Sequence, residues 1–217
     1  MMAHSYLSIQ RLNPRFLWIK NLLPIAIRRV ILTHVFGVNK DFVSPPSRRW
    51  LESDVLPMLP SSGFRRVLFV GTAPYTFNYE RIFRKAGGVW VTSDANPSAR
   101  VWGARKHVTA PVQHVDRHFA KAAFDAVIVN GVFGFGVDSD LEMNKSIAAI
   151  KRVLRPGGLF LIGWNTDKVT NPLELEEMRR GFRPASEIPF PAHCAFAAET
   201  HVYEFQIWDP RIPGSPP

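Results

Sequence analysis

The chain is poor in several things, and each scarcity excludes a class of protein. Among its 217 residues there is one cysteine, Cys194, so no internal disulfide framework can form and a reducing, cytoplasmic setting is expected. Seven histidines are present, but no Cys/His cluster has zinc-finger spacing. No long apolar run goes uninterrupted. The stretch from Phe16 to Phe36 contains Lys20, Pro24, Arg28 and Arg29, and charges are expensive at the centre of a bilayer, so it does not read as a membrane span. No secretory signal peptide is expected either. The absence of any Gly-Lys-Ser/Thr sequence removes the P-loop nucleotidases. Internal repeats and low-complexity tracts are also missing.

Acids are scarcest near the start. In residues 1–50 only Asp41 stands against Arg11, Arg15, Lys20, Arg28, Arg29, Lys40, Arg48 and Arg49, so this segment carries +7 of the net +9 charge. The remainder is nearly neutral. Asn13-Pro14 is a helix-start pair, and Phe16, Ile19, Leu23, Ile27, Val30 and Ile31 then recur at helical spacing. A helix of this kind can pack on its own domain with its charges solvated. It can also lie on an anionic membrane surface, here through residues 11–36 with Phe16 and Trp18 as anchors, which would make the protein membrane-peripheral. Nucleic-acid binding is not expected, because no aromatic-basic platform accompanies the charge.

What is present is a soluble composition, 46% hydrophobic and 21% charged, at a length that allows one domain and an appendage. The organisation expected is a basic helical extension over 1–60, a domain over 61–209 and a flexible tail over 210–217. Within the domain, Val67-Leu68-Phe69-Val70 is a short, wholly apolar run, the signature of a strand buried on both faces of a parallel sheet. A helix over 77–86 follows and stops at Gly87-Gly88. Further strands are read at 89–92, 107–109, 124–129 and 159–162, with two more near the end, the last at 202–208. Helices are expected at 97–103, 141–154 and 173–180. Strands alternating with helices predict an α/β fold, a Rossmann-like, doubly wound, mostly parallel sheet of seven strands.

Ligands of such sheets bind beyond the carboxyl ends of the strands. Asp94 stands at the end of the second strand, about 23 residues after Gly71, where a carboxylate can accept the ribose hydroxyls of an adenosine-containing cofactor. It can equally serve as a helix N-cap ahead of Asn96-Pro97. The turn Gly71-Thr72-Ala73-Pro74-Tyr75-Thr76 brings backbone close to a ligand, although one glycine alone is a weak signal. His114, Asp116 and His118 alternate, but without a fourth ligand no metal site is expected.

Four stretches together carry a resemblance: Val67-Leu68-Phe69-Val70-Gly71; Ser93-Asp94-Ala95-Asn96-Pro97; Phe124-Asp125-Ala126-Val127-Ile128-Val129-Asn130-Gly131-Val132-Phe133; and Ile150-Lys151-Arg152-Val153-Leu154-Arg155-Pro156-Gly157-Gly158-Leu159-Phe160-Leu161-Ile162-Gly163-Trp164-Asn165. In order and spacing they resemble the motifs of class I S-adenosylmethionine (SAM)-dependent methyltransferases, the small type 11-like group, over about residues 60–170. The Arg-Val-Leu-Arg-Pro-Gly-Gly run is the most specific part. The resemblance implies SAM as cofactor. Gly71, Thr72, Ala73 and Tyr75 would lie along its methionine part, and Asp94 on the ribose. Ala95 and Asn96, with Val112 and Asp116, would flank the adenine, and Asn130 and Gly131 would sit beside the methyl. The acceptor, a small molecule, lipid or glycan, would meet Phe133, Phe135, Trp164 and Asn165, although core packing is an equally ready account of each aromatic. The chain departs from the family pattern at Phe69, where an acid is usual, and at Ala73 and Tyr75, where glycines are usual.

Two other readings compete. A nicotinamide-dependent oxidoreductase would place its Gly-x-Gly-x-x-Gly fingerprint at Gly71, Ala73 and Thr76, two of them not glycine, and no Tyr-x-x-x-Lys pair exists. A non-catalytic binding protein on a methyltransferase frame would account for Phe69 and Tyr75.

Overall fold

The computed structural model describes residues 44–212, together with Pro24, Ile27, Val30 and Ile31. The expected helix over the basic segment and the expected tail beyond Ile212 therefore lie outside the described residues. One compact unit starts at Ser44, ahead of the boundary expected after residue 60. The reason is burial: Leu51, Val55, Leu56 and Leu59 are all fully buried against the sheet. They belong to a helical stretch made of α1 (Pro46–Trp50), a π-helical turn (Leu51–Val55) and α2 (Leu56–Met58). Pro46 suits a first helical position, where its missing N–H costs nothing.

The sheet has eight strands: β1 (Arg66–Val70), β2 (Val89–Asp94), β3 (Lys106–Thr109), β4 (Phe124–Asn130), β5 (Leu154–Asn165), β6 (Phe182–Pro184), β7 (His193–Ala195) and β8 (His201–Trp208). Their spatial order is β3-β2-β1-β4-β5-β8-β6, with β7 also paired to β8. Strands β1 to β5 are mutually parallel, whereas β8 runs antiparallel to β5. The eighth strand arises because β6 and β7 share one edge of β8, β6 opposite 206–208 and β7 opposite 202–204. The order reverses at β1/β4, the switch point where such sheets bind ligands.

Alternation divides the core in two. Leu68, Val70, Val127, Val129, Phe160 and Ile162 face α4 (Asp140–Val153), whose Met143, Ile147, Ile150 and Val153 repeat at helical spacing. Phe69, Ala126, Ile128, Leu161, Tyr203 and Phe205 face the 46–59 stretch and α3 (Tyr79–Lys85). A capping box starts α4: the Glu142 N–H donates to Ser139 Oγ, and the Glu142 carboxylate accepts from the Ser139 N–H. The buried Lys151 ammonium pairs with Glu177 at 2.9 Å, tying α4 to α5 (Glu176–Arg179).

The Arg155-Pro156-Gly157-Gly158 run does not form a separate turn after α4 but continues into β5. Its arginine works at the amino edge of the sheet, away from any ligand. Arg155 Nε donates to Asp125 at 2.8 Å, and the same carboxylate accepts from the Arg65 and Arg66 backbone N–H groups, fixing the start of β1 beside β4.

Candidate functional site

At the carboxyl edge, β1 ends in Gly71, whose φ of +92° is left-handed and whose added Cβ would stand 2.7 Å from Val132 Cγ2. Only glycine fits both constraints. The turn it opens is clamped to β2. The Thr72 N–H donates to Asp94 Oδ2 at 2.6 Å, and the Asn96 N–H donates to Asp94 Oδ1 at 2.8 Å. Asn96, not Asp94, is the N-cap of the short 3-10 helix Pro97–Trp102, accepting from the Ser98 N–H. Asp94 thus joins two loops. Each of its oxygens retains acceptor capacity, since a carboxylate offers about four lone-pair sites, and the residue is part-exposed.

Tyr75 stands beside the Gly131 turn. Its hydroxyl comes within 3.8 Å of where a Gly131 Cβ would be, and the Arg48 guanidinium covers its ring at 3.5 Å from the centroid. The bulk that replaces a glycine is thereby placed beside the Gly131 turn. Ala73 is held inside its own turn, its N–H donating to Thr76 Oγ1 at 3.1 Å. Phe69, in place of the usual acid, is fully buried, stacked on Trp90 and edge-on to Tyr79. No carboxylate could be solvated there.

β4 and β5 bring a second set of groups together. Asn130 lies opposite Gly163, and a Cβ on Gly163 would stand 2.1 Å from Asn130 Oδ1 and 2.8 Å from Tyr203 Cε1. The missing side chain is what admits Asn130. Its Oδ1 is buried without a hydrogen-bond partner among the described residues, an unmet acceptor that a bound donor would satisfy.

Asn165 faces His201 across the β5–β8 pair, with Oδ1 3.1 Å from His201 Nδ1 and Nδ2 donating to Thr200 Oγ1 at 3.0 Å. With the amide so oriented, Nδ1 carries the imidazole proton and Nε2 the lone pair. Burial pushes the His201 pKa down to about 4; Glu199 opposes this and Arg48 reinforces it. Burial likewise pushes the Tyr203 phenol up, and its ring meets His201 edge-on at 4.9 Å. Glu199 holds α1 in place, accepting from both the Ser47 N–H and the Ser47 hydroxyl.

Several expected positions fall elsewhere. Trp164 is one residue out of phase with Gly163 and Asn165, so its ring packs in the α4-side core. Phe133 is fully buried in the same core, and Phe135 is 57% exposed. Both Trp164 and Phe133 are core residues rather than acceptor contacts. Val112 is buried, and Asp116 is paired with Arg152 of α4, which withdraws it from an adenine contact. His114, Asp116 and His118 lie on or just beyond the 3-10 helix Val112–Arg117, not on an extended segment, so they do not share a face. No group among the described residues is arranged to hold a metal ion. Ala95 and Asn96 are exposed at the rim.

Sequence reasoning missed Arg48, Glu199, His201 and Tyr203. Arg48 belongs by sequence to the basic segment, and His201 and Tyr203 of β8 come beside Asn165 and Gly163 only through the antiparallel register with β5.

Residues 70–162 match the family model described as a methyltransferase domain. No curated protein matches the chain. Among solved structures, N-methyltransferase NodS from Bradyrhizobium japonicum WM9 in complex with S-adenosylhomocysteine superposes with a TM-score of 0.57 at 15% identity, over 77% of this chain and 90% of that one. The PH0226 protein from Pyrococcus horikoshii OT3 gives 0.55 at 16% identity, over 82% and 98%. A TehB-like SAM-dependent methyltransferase from Corynebacterium glutamicum gives 0.50 at 15%, over 71% and 86%. At these identities the likeness is one of fold.

Proposed function

We propose that the chain, whose residues 70–162 match the methyltransferase-domain family model, transfers a methyl group from SAM to a small-molecule, lipid or glycan acceptor. The observation that carries this reading is the clamp between the Gly71 turn and Asp94. It presents a close-approach backbone and a part-exposed carboxylate at the switch point, beside the unmet Asn130 acceptor. The residues fit SAM on those grounds: Asp94 would take the ribose hydroxyls, the Gly71 turn the methionine part, and Asn130 with Gly131 the neighbourhood of the methyl. SAM supplies a methyl already activated on a sulfonium, so the protein's task is alignment and exclusion of water. Tyr75, roofed by Arg48, stands beside the Gly131 turn, and Asn165 stands on the acceptor side.

The test is ligand-induced stabilisation of the full chain. At 100 times its dissociation constant a ligand adds about 2.7 kcal/mol, so S-adenosylhomocysteine should raise the melting temperature and NAD should not. A shift with NAD alone would replace this reading with the oxidoreductase one. We also read residues 11–36 as a peripheral contact with anionic membrane, supported by their charge and apolar spacing. Removing residues 1–40 should then abolish sedimentation with vesicles containing phosphatidylserine, and undiminished sedimentation would refute it.

A further inference from the structure

We propose that the amino edge of the sheet, the end opposite Gly71 and Asp94, is a docking surface for an anionic membrane. The inference is independent of the methyltransferase reading. Charge is divided along the domain: residues 61–121 carry ten basic side chains against three acids, whereas residues 122–217 carry nine against twelve. The strand order keeps β1, β2 and β3 together on one side of the sheet, so a division in sequence becomes a division in space. The acids that touch the amino edge are already committed. Glu80 pairs with Arg84 at 3.7 Å and accepts from the Arg105 N–H. Asp116 pairs with Arg152, and Asp125 takes Arg155 and the backbone N–H groups of Arg65 and Arg66. Left over are Arg65 and Arg66 at the start of β1, Arg105 and Lys106 at the start of β3, Lys85 at the end of α3, and Lys121 before β4. All six are exposed, and among the described residues none of the six is in an ion pair.

Six uncompensated cations along one edge call for a polyanion, and the rest of the edge selects a lipid surface. The register sets Arg66 opposite Val89, and Lys106 opposite Val91. Val89, 53% exposed, therefore stands between cations of β1 and β3, whose backbones are two interstrand steps or about 10 Å apart. An apolar side chain among cations suits the boundary of headgroups and acyl chains, and each Lys or Arg near an anionic leaflet adds to the attraction. A single-stranded nucleic acid would call instead for aromatic side chains on which bases stack. Among the described residues, the exposed large hydrophobics include one aromatic, Phe135, and it follows β4 at the opposite edge. Docked on its amino edge, the domain holds the Gly71 turn at the far end of β1, about 16 Å from Arg66. Asp94 and Asn130, which end β2 and β4, then face away from the bilayer.

Two measurements on the full chain test the proposal, with phosphatidylcholine vesicles that contain or lack phosphatidylserine. In the first, the lysines of the wild type are acetylated in the presence of each vesicle and mapped by mass spectrometry. Lys85, Lys106 and Lys121 should be protected only where phosphatidylserine is present, while Lys145 and Lys168, exposed elsewhere on the domain, stay reactive. Equal protection of both groups, or none of the first, would overturn the proposal. In the second, sedimentation compares two triple variants that lose the same charge and keep the basic segment intact. One carries Lys85→Gln, Lys106→Gln and Lys121→Gln; the other carries Arg100→Gln, Lys145→Gln and Lys168→Gln. At about fivefold per cation, the first should bind phosphatidylserine vesicles about 10²-fold more weakly, and the second nearly as the wild type does. Equal weakening would show that net charge alone matters, and wild-type binding by the first triple would leave any lipid contact to the basic segment. Either result overturns the proposal, as does a wild type whose sedimentation ignores phosphatidylserine. If the first triple loses binding to duplex RNA yet sediments with vesicles like the wild type, the edge is a nucleic-acid site and the proposal falls.

Discussion

Replacing Asp94 by alanine perturbs two things at once, and the structure separates them. The carboxylate accepts from the Thr72 N–H at 2.6 Å and from the Asn96 N–H at 2.8 Å. Thr72 is buried, whereas Asn96 is exposed. Water can take over the Asn96 amide at little cost, but the Thr72 amide is left without a partner, which costs roughly 1–3 kcal/mol. At about 2–4 °C per kcal/mol for a chain of this size, Asp94→Ala should lower the melting temperature of the unliganded protein by about 2–12 °C. The same carboxylate is the expected ribose contact. Losing two hydrogen bonds to a charged group, each about 1.5–3 kcal/mol, should weaken S-adenosylhomocysteine by about 10²–10⁴-fold. Differential scanning fluorimetry reads the first effect and isothermal titration calorimetry the second. An affinity within threefold of wild type would remove Asp94 from the cofactor site. An unchanged melting temperature without ligand would mean that the Thr72–Asp94 bond is not formed in solution.

Gly163→Ala sets a Cβ 2.1 Å from Asn130 Oδ1, so a loss of about 1–3 kcal/mol from overpacking is expected. Displacement of Asn130 should weaken S-adenosylhomocysteine as well, and a variant of wild-type stability and affinity would refute the close approach. Glu177→Gln leaves the Lys151 ammonium, 3% exposed, without its carboxylate. Since Glu177 is itself 27% exposed, about 2 kcal/mol is expected rather than the full cost of breaking a buried pair, and chemical denaturation checks it. His201 makes stability depend on pH. Its folded pKa of about 4 lies below the ordinary histidine value of 6.5, so the unfolded chain binds the extra proton between those values. Stability is then complete above about pH 6.5 and lost progressively as pH falls towards 4, by about 3 kcal/mol in all. In His201→Gln the stability–pH slope over that window should flatten, and an unaltered slope would show that His201 is not buried as a neutral group.

Much of the fold was legible along the chain, because strands buried on both faces must be apolar throughout and helices on their flanks must repeat every three to four residues. Val67 to Val70 and Phe124 to Val129 are such strands, and Met143, Ile147 and Ile150 are such a helix face. The turns at Gly71 and Asp94 were legible for the same reason: they stand where apolar runs stop. What local pattern did not reveal was the phase of the last residues of β5. Trp164 and Asn165 are neighbours in the chain, yet one enters the core and the other faces His201.

The sequence by itself determined the alternation of strands and helices, the strand ends, and Asp94 beside Gly71, since each follows from spacing between residues close in the chain. The tertiary structure alone decided what gathers around Asn165 and Glu199. His201 reaches Asn165 across 36 positions, and Ser47 reaches Glu199 across 152. No local periodicity encodes such pairs. They exist because β8 runs antiparallel to β5 in one particular register and because the apolar side chains of residues 51–59 bury against that same face.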